Sequence, residues 1–74
     1  MTEQEIVEKL RAGNEVFKKI EDEHRTLDKQ IDEYDTKVYL TLDEDMHRKM
    51  LQKEKLQRKD KLAEMIREFK KFTN

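Results

Sequence analysis

Between Asn14 and Val38 the seam positions recur at alternating spacings of three and four: Phe17, Ile20, His24, Leu27, Ile31, Tyr34 and Val38. Residues three and four apart share one face of an α-helix, so these side chains form a single seam, roughly 35 Å long at about 1.5 Å of rise per residue. The positions between them, such as Lys18, Lys19, Asp22, Arg25, Lys29 and Glu33, are charged, as a solvated face requires. The pattern predicts a helix over about 15–37. A helix cannot bury its own stripe, so the seam demands a second helix.

Upstream, Thr2 with Glu5 three positions on has the form of a capping box, and Ile6, Val7 and Leu10 come after it. A short helix over about 3–12 is expected. Gly13-Asn14 then reads as a helix end and a new N-cap, with Gly13 in a left-handed conformation and the Asn14 side chain capping the next helix. Leu10 and Gly13 also prolong the three-four spacing backwards from Phe17, so one continuous helix is the alternative.

Downstream, Lys37-Val38-Tyr39-Leu40-Thr41-Leu42 has no helical polar face, and its β-branched residues favour helix least. This is a connection. Thr41 and Glu44 form a second capping-box pattern, so the second long helix is expected over about 42–72, carrying Met46, Met50, Leu51, Leu56, Leu62, Met65, Ile66, Phe69 and Phe72. A short connection between helices argues for antiparallel neighbours. The fold class is therefore all-α: an antiparallel hairpin of two long helices with a short N-terminal helix, in a single domain over residues 1–74. A turn near Tyr39 sets Phe17 near Leu62, Ile20 near Lys59, His24 near Lys55 and Leu27 near Gln52, while Ile6 and Leu10 reach toward Phe69 and Phe72. Between Leu51 and Leu62 only Leu56 is a full hydrophobe, so the stems of Lys55, Arg58 and Lys59 must cover the middle of the seam. From His24 to Ile31 a second molecule or lysine stems are expected to complete it.

Composition sharpens this picture in two ways. Charged residues make up 47% against 34% hydrophobic, but the net charge is only -1 and the apolar residues are periodic, which favours helices over disorder. No proline and one glycine leave little to break a helix or to build glycine-rich enzymatic turns. The absence of cysteine excludes a disulfide framework or a thiolate zinc site and fits a cytoplasmic setting. No apolar run approaches the roughly 20 residues of a membrane span, and the acidic N-terminus is unlike a signal peptide.

The candidate chemistry is thin. His24 has Asp28 one turn later, but no nucleophile or anion-stabilising nest accompanies it, and it reads as a packing residue whose ring finds a hydrogen bond. Asp43, Glu44, Asp45 and His47 resemble metal ligands in type, yet only Asp43 and His47 share a face, and acids are favoured in a first helical turn in any case. Neither a catalytic, a cofactor-binding nor a metal site is expected. The basic run is more informative: Arg48, Lys49, Lys53, Lys55, Arg58, Lys59 and Lys61 stand against Glu54 and Asp60, a local charge of +5. Residues 1–42 carry -4 and residues 43–74 carry +3. Such a face can neutralise phosphates, but no aromatic interleaves with it and the acidic first helix offsets its field. Leu62 to Phe72, with Arg67, Lys70 and Lys71, has the look of an interfacial membrane helix, but its apolar residues are the ones needed opposite Phe17.

Two stretches, Phe17-Lys-Lys-Ile20-x-x-x-His24-x-x-Leu27-Asp28-x-x-Ile31 and Leu51-Gln-Lys-Glu-Lys55-Leu56-Gln-Arg58-Lys59-Asp60-Lys-Leu62, carry a resemblance to the small bacterial YdcH-like helical hairpins, short proteins of unknown function. The chain departs from that pattern twice: Arg58 stands where a second leucine is usual, and the apolar Val38–Leu42 stretch replaces a glycine-rich connection. The resemblance implies a helical hairpin prone to self-association, without established catalysis.

The functional expectation is a non-catalytic assembly module, not an enzyme, coiled-coil-like, that pairs with itself or with another helical protein. Its interaction seam is expected to comprise Phe17, Ile20, His24, Leu27, Ile31, Tyr34 and Val38 with Leu51, Leu62, Ile66 and Phe69. The alternative is a small nucleic-acid-associated regulator using the basic face.

Overall fold

In a computed structural model, which describes residues 2–73, the chain is all-helical: α1 (Glu3–Gly13), α2 (Glu15–Asp35) and α3 (Leu42–Thr73), with no strand among the described residues. The bounds are set by local chemistry. Thr2 caps α1 by accepting a hydrogen bond from the Glu5 N–H at 3.2 Å. At the start of α3 the box is complete: the Glu44 N–H donates to Thr41 Oγ1 and the Thr41 N–H donates to Glu44 Oε1, both at 3.2 Å.

The break between α1 and α2 rests on Asn14 alone. Its backbone is extended (φ -132°, ψ 107°), its N–H donates to the Leu10 carbonyl at 2.8 Å, and its side chain accepts from the Phe17 N–H at 3.1 Å. One residue thus closes α1 and caps α2. The left-handed Gly13 expected from the sequence is not found: Gly13 is the last residue of α1 and has no positive φ. A side chain there would meet nothing within 4 Å. Gly13→Ala is therefore expected to stabilise the fold by about 0.5–1 kcal/mol, because alanine loses less backbone freedom on folding. A urea titration showing a lower midpoint would contradict it.

α2 ends at Asp35, where the Thr36 hydroxyl donates to the Glu33 carbonyl at 2.7 Å. The stripe therefore stops at Tyr34. Val38, expected to extend the seam, lies in the irregular connection between α2 and α3 and is fully exposed (101%), because the helix that would have carried it inward has already ended.

The packed interior forms two clusters. Ile6, Leu10 and Phe17 make the first, with Val7, Leu62, Met65, Ile66 and Phe69 against it. Leu27, Ile31 and Leu51 make the second, flanked by Tyr34. Leu62 packs against the cluster that holds Phe17, whereas Phe72, expected to join that end of the core, is 88% exposed and belongs to neither cluster. The molecule is elongated, 49 × 20 × 16 Å, as a small three-helix chain with two separate cores must be.

Candidate functional site

Between the two clusters the apolar seam lapses, and ion pairs take over. Lys55 Nζ reaches Asp28 Oδ1 at 2.5 Å, and Arg58 donates to Glu23 Oε2 through Nε and Nη2 at 3.3 and 3.2 Å. Arg48 Nε donates to Asp35 Oδ1 at 2.8 Å. Partner numbers fall along α2 as they rise along α3. At the other end the Arg11 guanidinium forks onto both oxygens of Glu21, at 2.6 and 2.8 Å, tying α1 to α2. Arg58, which occupies the place of a leucine in the sequence pattern, thus exchanges an apolar contact for a charge contact.

The gap does not lie where the sequence placed it, from His24 to Ile31. Leu27 and Ile31 are buried against Leu51, so the thin stretch spans Ile20 to His24 and does not reach Ile31. His24 is half-buried there. Its Nε2 is out of solvent without a hydrogen-bond partner among the described residues, so the hydrogen bond expected of a packed histidine is not made at that atom. Of the seam residues, Phe17, Leu27, Ile31 and Leu51 are buried, Ile20, His24, Tyr34, Leu62, Ile66 and Phe69 are half-buried, and Val38 is outside.

The ion pairs leave a titration signature. The hydrogen bonds from Arg11 hold the Glu21 carboxyl below the usual carboxylate range, those from Lys55 do the same for Asp28, and those from Lys37 and Thr41 do so for Glu44. Their cationic partners Arg11 and Lys37 are shifted upward by the same contacts, and Arg48 is shifted upward by its hydrogen bond to Asp35. For a carboxylate lowered on folding, the stabilisation is complete above its unfolded pKa and is lost as pH falls through the folded one. The melting temperature is therefore expected to be flat from pH 7 to about 5 and to fall below about pH 4, the more so at low salt. Thermal melts monitored by circular dichroism check this; an unchanged melting temperature down to about pH 2.5 would refute it. Because these carboxylates are only half-buried, solvent screens each of them and each contributes little alone.

Of the seven basic residues in the 48–61 run of α3, five are engaged: Arg48, Lys55 and Arg58 across to α2, Lys49 with Asp45 at 3.1 Å, and Lys61 with Glu64 at 3.8 Å. Lys53 and Lys59 remain outside these pairs. The Asp43–His47 group does not converge, and no cluster of three or more His, Cys, Asp or Glu side chains among the described residues is arranged to hold a metal. His47 turns to Tyr34 instead: the Tyr34 hydroxyl and His47 Nδ1 are 2.5 Å apart, and the rings meet edge to face at 5.5 Å. Sequence reasoning missed this pair, although both residues lie one or two turns from the connection.

The remaining concavities are open. One of about 640 Å³ runs along α2 between Glu15 and Leu27 beside Arg58, and another of about 220 Å³ lies by Tyr34, Lys37 and His47. Among the described residues no helix is long and apolar enough to cross a membrane.

The most distinctive surface is on α3. Leu42, Met46, Met50 and Leu56 are each more than half exposed, between 55% and 77%. At 3.6 residues per turn they fall within about 120° of arc, and Leu51, buried against α2, lies roughly 160° from its centre. The N-terminal half of α3 therefore has two apolar faces, of which one is covered. Periodicity in the sequence finds the covered face only because α2 supplies its partner.

No curated protein and no solved structure matches the chain. A family model does, over residues 17–66, from Phe17 of the first cluster to Ile66 on α3. That span holds all of the second cluster and the cross-helix pairs of Lys55 and Arg58, and the chain belongs to the family described as a protein of unknown function (DUF465).

Proposed function

We propose that the protein is a non-catalytic helical assembly module, an antiparallel hairpin of α2 and α3 braced at its open end by α1, that associates first with copies of itself. The observation that carries this is the exposed apolar surface, in which Val38, Tyr39, Leu42, Met46, Met50 and Leu56 succeed one another along the connection and the start of α3. A small chain with two separate cores gains stability by covering such a surface. The reversed order of the α2–α3 ion pairs supports the hairpin. The seam itself is mostly taken up within the chain, so the pairing surface lies outside it, on the side that Leu27 and Ile31 do not face.

Nucleic-acid binding by α3 has less support, because five of its seven candidate cations are already paired with acids. Sedimentation equilibrium across micromolar concentrations tests the assembly reading, with a mass above 9.1 kDa expected as concentration rises. A strictly monomeric chain at every concentration overturns it. Titration with duplex and single-stranded DNA or RNA at two salt concentrations tests the other, where binding that weakens steeply with salt is the outcome that would favour it.

A further inference from the structure

The assembly reading leaves the interface unnamed, and on that reading we infer that the outer face of α3 is a twofold interface in which two copies of the chain lay Leu42–Leu56 against each other antiparallel, centred on Lys49. A twofold contact requires a surface complementary to itself on reversal. This one is. Reversal about Lys49 brings Leu42 of each copy opposite Leu56 of the other, and Asp45 opposite Lys53. The same reversal sets Met46 opposite Gln52 and Met50 opposite Arg48, and methionine adapts readily to such irregular surroundings. All four apolar side chains are more than half exposed in the single chain.

The charges agree with the pattern. Lys49 lies on the axis, where two copies would repel, but its ammonium is already held by Asp45 of its own chain at 3.1 Å. Lys53 is outside the ion pairs found on α3 and is free to meet Asp45 of the other copy, which then bridges two cations. Outside the apolar arc, Arg48, Lys55 and Arg58 are drawn to α2. The face toward the second copy therefore carries Asp45, Lys49 and Lys53 among its four apolar side chains, with each Asp45 shared between the Lys49 of its own chain and the Lys53 of the other. A self-complementary charge order is not what a surface for a generic acidic or basic partner would need.

The test is sedimentation equilibrium of the full chain and three variants, each first shown by circular dichroism to keep its helix content. Met46→Lys with Leu56→Lys is expected to be monomeric where the parent is dimeric, with at least a tenfold loss of affinity. Asp45→Lys alone is expected to weaken the dimer, and Asp45→Lys combined with Lys53→Asp to restore it. A parent chain that stays monomeric overturns self-association itself. A parent that dimerises while Met46→Lys/Leu56→Lys dimerises equally well overturns this face and leaves self-association standing. Loss with the lysine pair but no rescue by the charge exchange overturns the register centred on Lys49.

Discussion

Ile31→Asp is expected to abolish the folded state. Ile31 is 2% exposed and lies between Leu27 and Leu51, with Tyr34 at the edge. The substitution removes an apolar side chain whose burial is worth roughly 1.5–3 kcal/mol. It also places a carboxylate among the apolar side chains of Leu27, Leu51 and Tyr34, while Lys55 and Arg48 are engaged with Asp28 and Asp35. Burying an unpaired charge costs several kcal/mol more. A chain of this size holds only about 3–5 kcal/mol in its core, so the sum exceeds what is available. Loss of the helical circular dichroism signal and of any cooperative melt is the expected result. Ile31→Val, which keeps the shape and removes one methyl group, is expected to cost only about 0.5–1.5 kcal/mol. A cooperative melt for Ile31→Asp within a few degrees of the parent would refute the account.

That Ile31 sits at the centre of a cluster was legible in the sequence, because a helix has one period and Phe17, Leu27 and Ile31 all fall on it. The helix starts were legible for the same kind of reason: Thr2, Asn14 and Thr41 are caps whose chemistry is local. What was not legible depends on the neighbour. Val38 continues the spacing perfectly but lies past the end of α2, and periodicity alone carries no information about where the backbone stops obeying it. Gly13 offered a left-handed turn that Asn14 made unnecessary by adopting an extended backbone. Leu56 reads as the one hydrophobe in the middle of α3 and yet faces outward, because α2 meets α3 there through Lys55 and Arg58. The candidate surface was hidden for a related reason. Two apolar faces on one helix cancel in a periodicity pattern, and only the position of α2 separates the covered face from the open one.

Phe17→Ala is expected to undock α1 and to unfold the open end of the molecule before the rest. Phe17 is 1% exposed and completes the buried cluster of Ile6 and Leu10 of α1, against which Leu62, Met65, Ile66 and Phe69 pack. Truncating a buried phenylalanine costs about 3–5 kcal/mol, comparable to the whole stability expected of so small a chain. Its effect is local first, because the second cluster of Leu27, Ile31 and Leu51 shares no residue with the first and the stretch between them is bridged by ion pairs. α1 has little to hold it otherwise: eleven residues are too few for a stable isolated helix, and the fork from Arg11 to Glu21 is exposed on the arginine side. Hydrogen exchange is therefore expected to lose protection throughout α1 and in α3 beyond Leu62, with weaker losses around Ile31, and the urea transition to move to a much lower midpoint. Val16→Ala, a change at the neighbouring exposed position, is expected to move stability by less than about 0.5 kcal/mol. If α1 amides in Phe17→Ala stayed as protected as in the parent, Phe17 would not be what holds α1 to α3, and the first cluster would owe its stability to direct contacts of Ile6 and Leu10 with Leu62, Met65 and Ile66.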